Sequence, residues 1–225
     1  MNESILTIDA YQRYQKLSLA HRPFYELPGF SFVNRKNKGF AGQWLEKLLH
    51  ASPHPCSNHK TDFIDGDLKT FTVTHEHNPR DTIAITTISS IMSDIEKGLP
   101  FEETQFYKKI EHLLLIPLYK PSDDVGSWCF LEGTYVHLTP QLPVFHILKD
   151  EYEDIVSSIR YGFTREFTFS DLELRRNYLE VRTKDSTPYR PIKKNGFCYS
   201  NKGRAFFFRK PCVTDLLNNS TPISS

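Results

Sequence analysis

Apolar and polar positions along the chain switch repeatedly between a helical period and an alternating one. Residues 5–20 read as a helix, which "RPFYELPGF" breaks with two prolines and a glycine. In "NRKNKGFAGQWLEKLLH" the residues Phe40, Ala41, Trp44, Leu45, Leu48 and Leu49 recur at helical spacing, so a second helix buries that stripe in the core. Glu46 lies off the centre of the stripe and can point sideways. A loop, "ASPHPCSNHK", leads to a strand in "TDFIDGDLKTFTVT". The segment "TIAITTISSIMSDI" starts β-branched and drifts to helical spacing. "EETQFYKKI" suits a short helix, and the unbroken apolar run "HLLLIPLY" predicts a buried strand. "SWCFLEGTYVHL" reads as strand or hairpin. "HILKDEYEDIVSSIRYG" is an amphipathic helix with Gly162 as a natural C-cap, and "REFTF" and "NYLEVRT" look like paired strands outside the first sheet.

Alternation of this kind predicts an α/β class, in detail an α+β mixed sheet flanked by helices. A chain of 225 residues at 39% hydrophobic can bury a proper core. No repeat or low-complexity linker divides it, so one domain over 1–225 is expected, in two lobes of about 30–120 and 121–217 with a frayed tail at 218–225. The N-terminus lacks a signal-peptide pattern, and no apolar run approaches the roughly 18 residues that span a bilayer. A soluble cytoplasmic protein without a membrane partner is the expectation. Cys56, Cys129, Cys198 and Cys212 have no framework spacing, which suits reduced thiols and no disulfide.

Charge changes the picture locally. Twenty-eight basic against twenty-seven acidic residues create no overall field. From Arg182 onward, however, Arg182, Lys184, Arg190, Lys193, Lys194, Lys202, Arg204, Arg209 and Lys210 face only Asp185 and Asp215, with aromatic residues interleaved. Such a stretch suits nucleic acid, though charge clusters are usually solvated faces.

The acidic strand carries the candidate chemistry. Asp62, Asp65 and Asp67 repel one another in a segment type that avoids acids, so something outside the strand should compensate them. Residues two apart share a face of a strand, so Asp67 and Lys69 project together while Leu68 and Thr70 face the other way. The turn "IDG" can return the Asp62 carboxylate toward Asp67. Two carboxylates and a lysine on one surface can hold Mg²⁺ through oxygen ligands and activate a water, which is machinery for phosphodiester hydrolysis. D-x-K alone also occurs by chance on solvated edge strands.

Three segments, "NKGFAGQWLEKLL", "DFIDGDLKTFTV" and "YKKIEHLLLIPL", in this order and at these intervals resemble the MutH-like family of PD-(D/E)xK nucleases. That family comprises the mismatch-repair endonuclease MutH and related GATC-cleaving type II restriction enzymes. The resemblance runs from about Asn34 to Leu217. It implies a restriction-endonuclease-like fold with two lobes around a DNA-binding cleft, and Mg²⁺ as cofactor. Asp62 and Asp67 fall on the family's metal-binding acids, with the Leu68 carbonyl as a third ligand, and Glu46 on a helix glutamate that supports the metal indirectly. Lys69 falls on the catalytic lysine. Lys109 matches a further active-site lysine, with Lys108 the fallback if the register slips by one.

For double-stranded DNA the resemblance implies contacts from Lys38, Arg182, Lys184, Phe207, Arg209 and Lys210. Of these, Arg182 and Lys184 lie where the family reads bases. The departures are Asp67 for glutamate, a shorter loop before it, Thr183 for a recognition-loop proline and Phe207 for a tyrosine tied to methylation sensing. Asp67 is a shorter reach that related nucleases tolerate; the last two departures leave the chemistry intact and open the recognised site and its methylation dependence. Three readings follow: a type II restriction endonuclease acting as a homodimer or by sequential nicking, a repair nicking enzyme activated by a MutL-like partner, and a DNA-binding protein that has lost cleavage. The complete set of Asp62, Asp67 and Lys69 argues against the last.

A competing zinc site is suggested by His50, His54, Cys56 and His59, with His75 and His77 nearby, but their spacings fit no established ligand pattern.

Overall fold

Thr7, Ala10 and Tyr14 are buried at i, i+3 and i+7, and they make the inner face of the first helix, α1 (Thr7–Lys16). In the computed structural model the described residues are 5–30, 39–49, 61–164, 169, 172–184, 192–194, 197–200 and 202–219. The helix expected over 5–20 stops early because the chain reverses at Ser18 and His21, both with positive φ, and Ala20 bridges to Phe130 instead. Helix α2 (Phe40–Leu48) buries Ala41, Trp44 and Leu45. Strands β1 (Gly66–Thr72) and β2 (Ile83–Thr87) follow, and then helices α3 (Met92–Lys97) and α4 (Gln105–Ile110). Next come β3 (His112–Tyr119), β4 (Cys129–Phe130), β5 (Thr134–His137) and the long helix α5 (Pro143–Gly162). The remaining elements are β6 (Leu179–Thr183), β7 (Ile192–Lys194), β8 (Phe197–Ser200), β9 (Arg204–Phe208) and α6 (Lys210–Asn218).

These elements form a mixed α/β structure with a mixed sheet flanked by helices. They divide into two units, one drawn from Met1–Asp81, Lys109–Leu138 and Leu216–Ser225, the other from Thr82–Lys108 and Thr139–Asp215.

In the first unit, β3 is the central strand. It runs parallel to β1 on one side and antiparallel to β5 and then β4 on the other. Its six residues Leu113 to Leu118 are all buried, as an unbroken apolar run requires of a strand covered on both faces. Pro117 is tolerated inside it for a local reason. Its carbonyl accepts from Leu131 N–H, so its missing donor points to the side where β5 has ended at Leu115 and β4 has only begun at Leu118. The segment read as strand or hairpin is therefore two strands that both pair with β3.

Leu68, Leu114 and Ile116 on one face of this sheet join Ala10, Tyr14, Trp44 and Leu45 from the helices in one core. Phe24 packs edge-on against Trp44 with centroids 5.0 Å apart, a contact worth about 1 kcal/mol beyond simple burial. Helix α2 can lie this close to β1 because Gly42 faces it: a Cβ there would stand 3.1 Å from Thr70 Oγ1.

The second unit holds an antiparallel sheet in the order β2-β9-β6 and the separate ribbon β7-β8. Phe106 and Tyr152 pack on Phe206 of its central strand with centroids 5.1 and 5.5 Å away. The Glu151 carboxylate on α5 accepts from the backbone N–H groups of Asn177, Tyr178 and Leu179, which fixes the start of β6. Helix α5 starts at Pro143, a residue preorganised for a first helical turn, before the expected start at His146. It ends at Gly162 as expected, but that glycine does not act as the cap. Gly162 is the last helical residue and Phe163 follows in a right-handed conformation, whereas the left-handed glycine cap belongs to Gly98 at the end of α3. Strand β6 lies outside the first sheet, as read from "NYLEVRT"; its supposed partner "REFTF" lies almost wholly outside the described residues.

No helix among the described residues is long and apolar enough to cross a membrane. Cys129, Cys198 and Cys212 are free thiols.

Candidate active site

The turn at Thr61–Asp65 and the first residues of β1 form one hydrogen-bonded unit. Phe63 N–H donates to the Gly66 carbonyl at 2.9 Å and closes the turn. Asp62 N–H then donates to Asp67 Oδ1 at 3.0 Å, while Asp62 Oδ2 accepts from Leu68 N–H at 3.0 Å. Each aspartate thus caps backbone that the other's segment presents, and the two carboxylates are brought together as the "IDG" turn predicts. Leu68 meets this site through its N–H, while its side chain goes to the core at 5% exposure.

Asp65, the remaining acid, is turned away. Its Oδ1 accepts from Thr7 N at 2.8 Å and Thr7 Oγ1 at 2.7 Å. That bond spans 58 residues and ties the turn to the start of α1. Sequence reasoning missed Thr7, and no local pattern marks it.

Asp67 is fully buried. Its Oδ2 accepts from Lys69 Nζ at 2.8 Å and from Lys109 Nζ at 3.2 Å. The first lysine comes from the same face of β1, two residues on. The second comes from the end of α4, immediately before β3, and the register question is thereby answered: Lys109 reaches the aspartate while Lys108 is exposed. The compensation for Asp67 expected from outside the strand is supplied by Lys109, but Lys69, the nearer partner, belongs to the strand itself.

Burial would push the Asp67 carboxyl up, but the Lys69 and Lys109 charges and its hydrogen bonds outweigh it and hold the carboxyl below the ordinary range. Asp62 moves the opposite way. Burial and the neighbouring Asp67 raise it, against the pull of the lysines and of Leu68 N–H. Two carboxyls in one site driven apart in this manner titrate as a pair. Lys69 is raised: desolvation favours the neutral amine, but Asp67 and Asp62 overcome it, so the side chain is an ammonium. Glu46, half-buried on α2, is pushed up to about 7 by burial first and by Asp62 second.

Asp62 and Asp67 therefore lie together beside two ammoniums, and Glu46 feels the charge of both carboxyls. The donor set is all oxygen, and Asp62 and Glu46 are each destabilised by desolvation and by a neighbouring carboxylate, Asp67 for the first and chiefly Asp62 for the second. A hard divalent cation relieves that condition, so the residues fit Mg²⁺.

Comparison with known proteins finds no matching family model and no matching curated protein.

The remaining residues singled out from the sequence lie elsewhere. Lys38 is outside the described residues, as are His50, His54, Cys56 and His59 of the competing zinc reading. His75 and His77 stand edge-on to Tyr119. Arg182, Lys184, Phe207, Arg209 and Lys210 all belong to the second unit. Arg182 covers the ring of Phe207, 4.3 Å from its centroid, and pairs with Glu180 at 3.4 Å, which leaves Phe207 only 6% exposed. Arg209 donates to the carbonyls of Arg176 and Asn177. Lys184 and Lys210 are exposed.

One consequence can be read without any ligand. Glu46 binds its proton more tightly folded than unfolded, since its ordinary value is 4.5 and its folded value about 7. The stabilisation is complete below the lower value and disappears as pH rises through the upper one. In EDTA, wild-type protein should lose thermal stability relative to Glu46→Gln between about pH 5 and pH 8. Melting curves across that range check this, and a constant difference between the two proteins would remove Glu46 from the carboxyl cluster.

Proposed function

We propose that the chain is a Mg²⁺-dependent, sequence-specific endonuclease of double-stranded DNA, built on a restriction-endonuclease-like PD-(D/E)xK fold and acting as a type II restriction enzyme. One observation carries this reading: a fully buried Asp67 shared by Lys69 and Lys109, with Asp62 folded back against it. A purely structural ion pair is the plain alternative. It accounts poorly for the surplus of carboxyls, because a stable interior has no use for Asp62 and Glu46 held above their ordinary range beside an already paired aspartate.

Mg²⁺, held by Asp62 and Asp67 with the Leu68 carbonyl and with Glu46 acting indirectly, would supply Lewis-acid charge at the scissile phosphate and a more acidic water. The chain's own groups do the rest. Asp67 Oδ2 fixes both ammoniums, so Lys69 and Lys109 present preorganised positive charge where phosphate charge accumulates. Lys69, as an ammonium, orients the attacking water through its remaining N–H groups. Lys184 and Lys210 offer exposed charge for phosphates, with Lys38 and Arg209 as further backbone contacts, and Arg182 offers a planar donor fork for guanine. A cut through both strands needs a homodimer or two successive nicks.

The deciding experiment incubates purified protein with unmethylated plasmid and Mg²⁺, against an EDTA control, and sequences the fragment ends. Discrete double-strand cuts at one short sequence are expected. Nicks alone, or activity only after a MutL protein is added, would replace restriction by a repair role. No cleavage under any condition overturns the nuclease reading and leaves a DNA-binding protein.

A further inference from the structure

The opposite face of the same sheet carries a second cluster of ligating groups. In the parallel register His112 stands beside Gly66, so its side chain shares the face of Leu68 rather than that of Asp67 and Lys69. Across the antiparallel ladder it faces His137 on β5, and the two imidazoles stack with centroids 4.2 Å apart at 15°. Glu111 precedes His112. One donor atom from each of Glu111, His112 and His137 lies within 4.8 Å of the others.

A stacked histidine pair is by itself an ordinary cross-strand contact. What sets this one apart is the shell behind it. His112 Nδ1 is 2.7 Å from Tyr135 Oη and 3.9 Å from Asp65 Oδ2, and Asp65 is itself pinned by Thr7. An imidazole whose one nitrogen is oriented by a hydroxyl and a carboxylate, leaving Nε2 as the other, is arranged as metal-binding histidines are.

We propose that Glu111, His112 and His137 form a transition-metal site, selective for Zn²⁺ over Mg²⁺ and separate from the carboxylate cluster around Asp67. Two nitrogens and one oxygen suit a borderline ion and leave a fourth position for water, whereas Mg²⁺ demands oxygen ligands. Tetrahedral Zn²⁺ needs its donors about 3.3 Å apart. The cluster must therefore contract, and the exposed His137 at the end of β5 and the torsions of Glu111 supply that movement. Through Asp65 the same cluster touches the turn that positions Asp62, so the ion would brace the turn from behind.

The test titrates EDTA-treated, dialysed full-length protein with Zn²⁺ against a chromophoric chelator, with Co²⁺ absorption as a second readout. Wild-type protein should bind one equivalent with a tetrahedral Co²⁺ spectrum. His137→Ala, at an exposed position, and Glu111→Gln should each weaken binding by at least about 10-fold. The His54→Ala/Cys56→Ser double variant should leave it unchanged. Absence of binding in the wild type, unchanged binding in His137→Ala, or loss of binding in the double variant overturns the proposal. None of these outcomes depends on nuclease activity.

Discussion

Replacing Lys69 with alanine should reduce DNA cleavage by at least about 1000-fold, the scale lost when preorganised charge is removed from a reacting centre. The fold and DNA affinity should survive. Asp67 keeps Lys109 and the Asp62 N–H as partners in that variant, so its carboxylate is not left buried and alone. Asp67→Ala should be equally inactive for the converse reason. It removes a metal ligand and releases Lys69 and Lys109, whose side chains are 14% and 17% exposed and can turn toward water. Cleavage rates are to be compared with binding measured by fluorescence anisotropy on the same duplex. If either variant cuts at the wild-type rate, Asp67 and Lys69 are a structural pair and the assignment fails. If both lose binding together with cleavage, they hold DNA rather than act on it.

What the sequence revealed about this site was the part governed by short periods. The two-residue repeat of a strand puts Asp67 and Lys69 on one face whatever the rest of the chain does, and the short apolar run of β3, with a proline inside it, favours the buried strand that forms. Trp44 and Leu45 reached the core because their spacing on α2 required it. The failures came where a distant partner overrides local preference. A helix was expected to run on to residue 20, but Ala20 pairs with Phe130, more than a hundred residues away. Gly162 has the composition of a cap yet is the last, buried residue of α5, and the chain continues right-handed through Phe163. Lys109 could not be separated from Lys108 by sequence because α4 is only six residues long, too short for its period to fix which side faces Asp67. The stacking of His112 on His137 was invisible for the same reason as the Thr7–Asp65 bond: strand pairing creates it, and neither neighbourhood advertises it.

Gly66→Ala should be among the most destructive single substitutions in the first unit, costing about 3 kcal/mol or more, at the upper end of overpacking effects. A Cβ at this position would lie 1.9 Å from the His112 carbonyl oxygen and 2.7 Å from its carbonyl carbon, which is backbone that cannot rotate away. Relief requires β1 to separate from β3 at the Gly66–His112 pair. The Gly66 carbonyl also holds the turn through Phe63 N–H, so the same movement detaches Asp62 from Asp67 and displaces His112 from His137. Gly126→Ala is the matched control: its nearest neighbours would be 3.5 Å away, an ordinary contact, and its effect should stay within about 0.5 kcal/mol. Urea midpoints of the two variants measure the difference directly. Equal midpoints for Gly66→Ala and wild type would mean that β1 and β3 do not approach as described. The expected large loss would mean that one absent side chain sets the strand spacing on which both faces of the sheet depend.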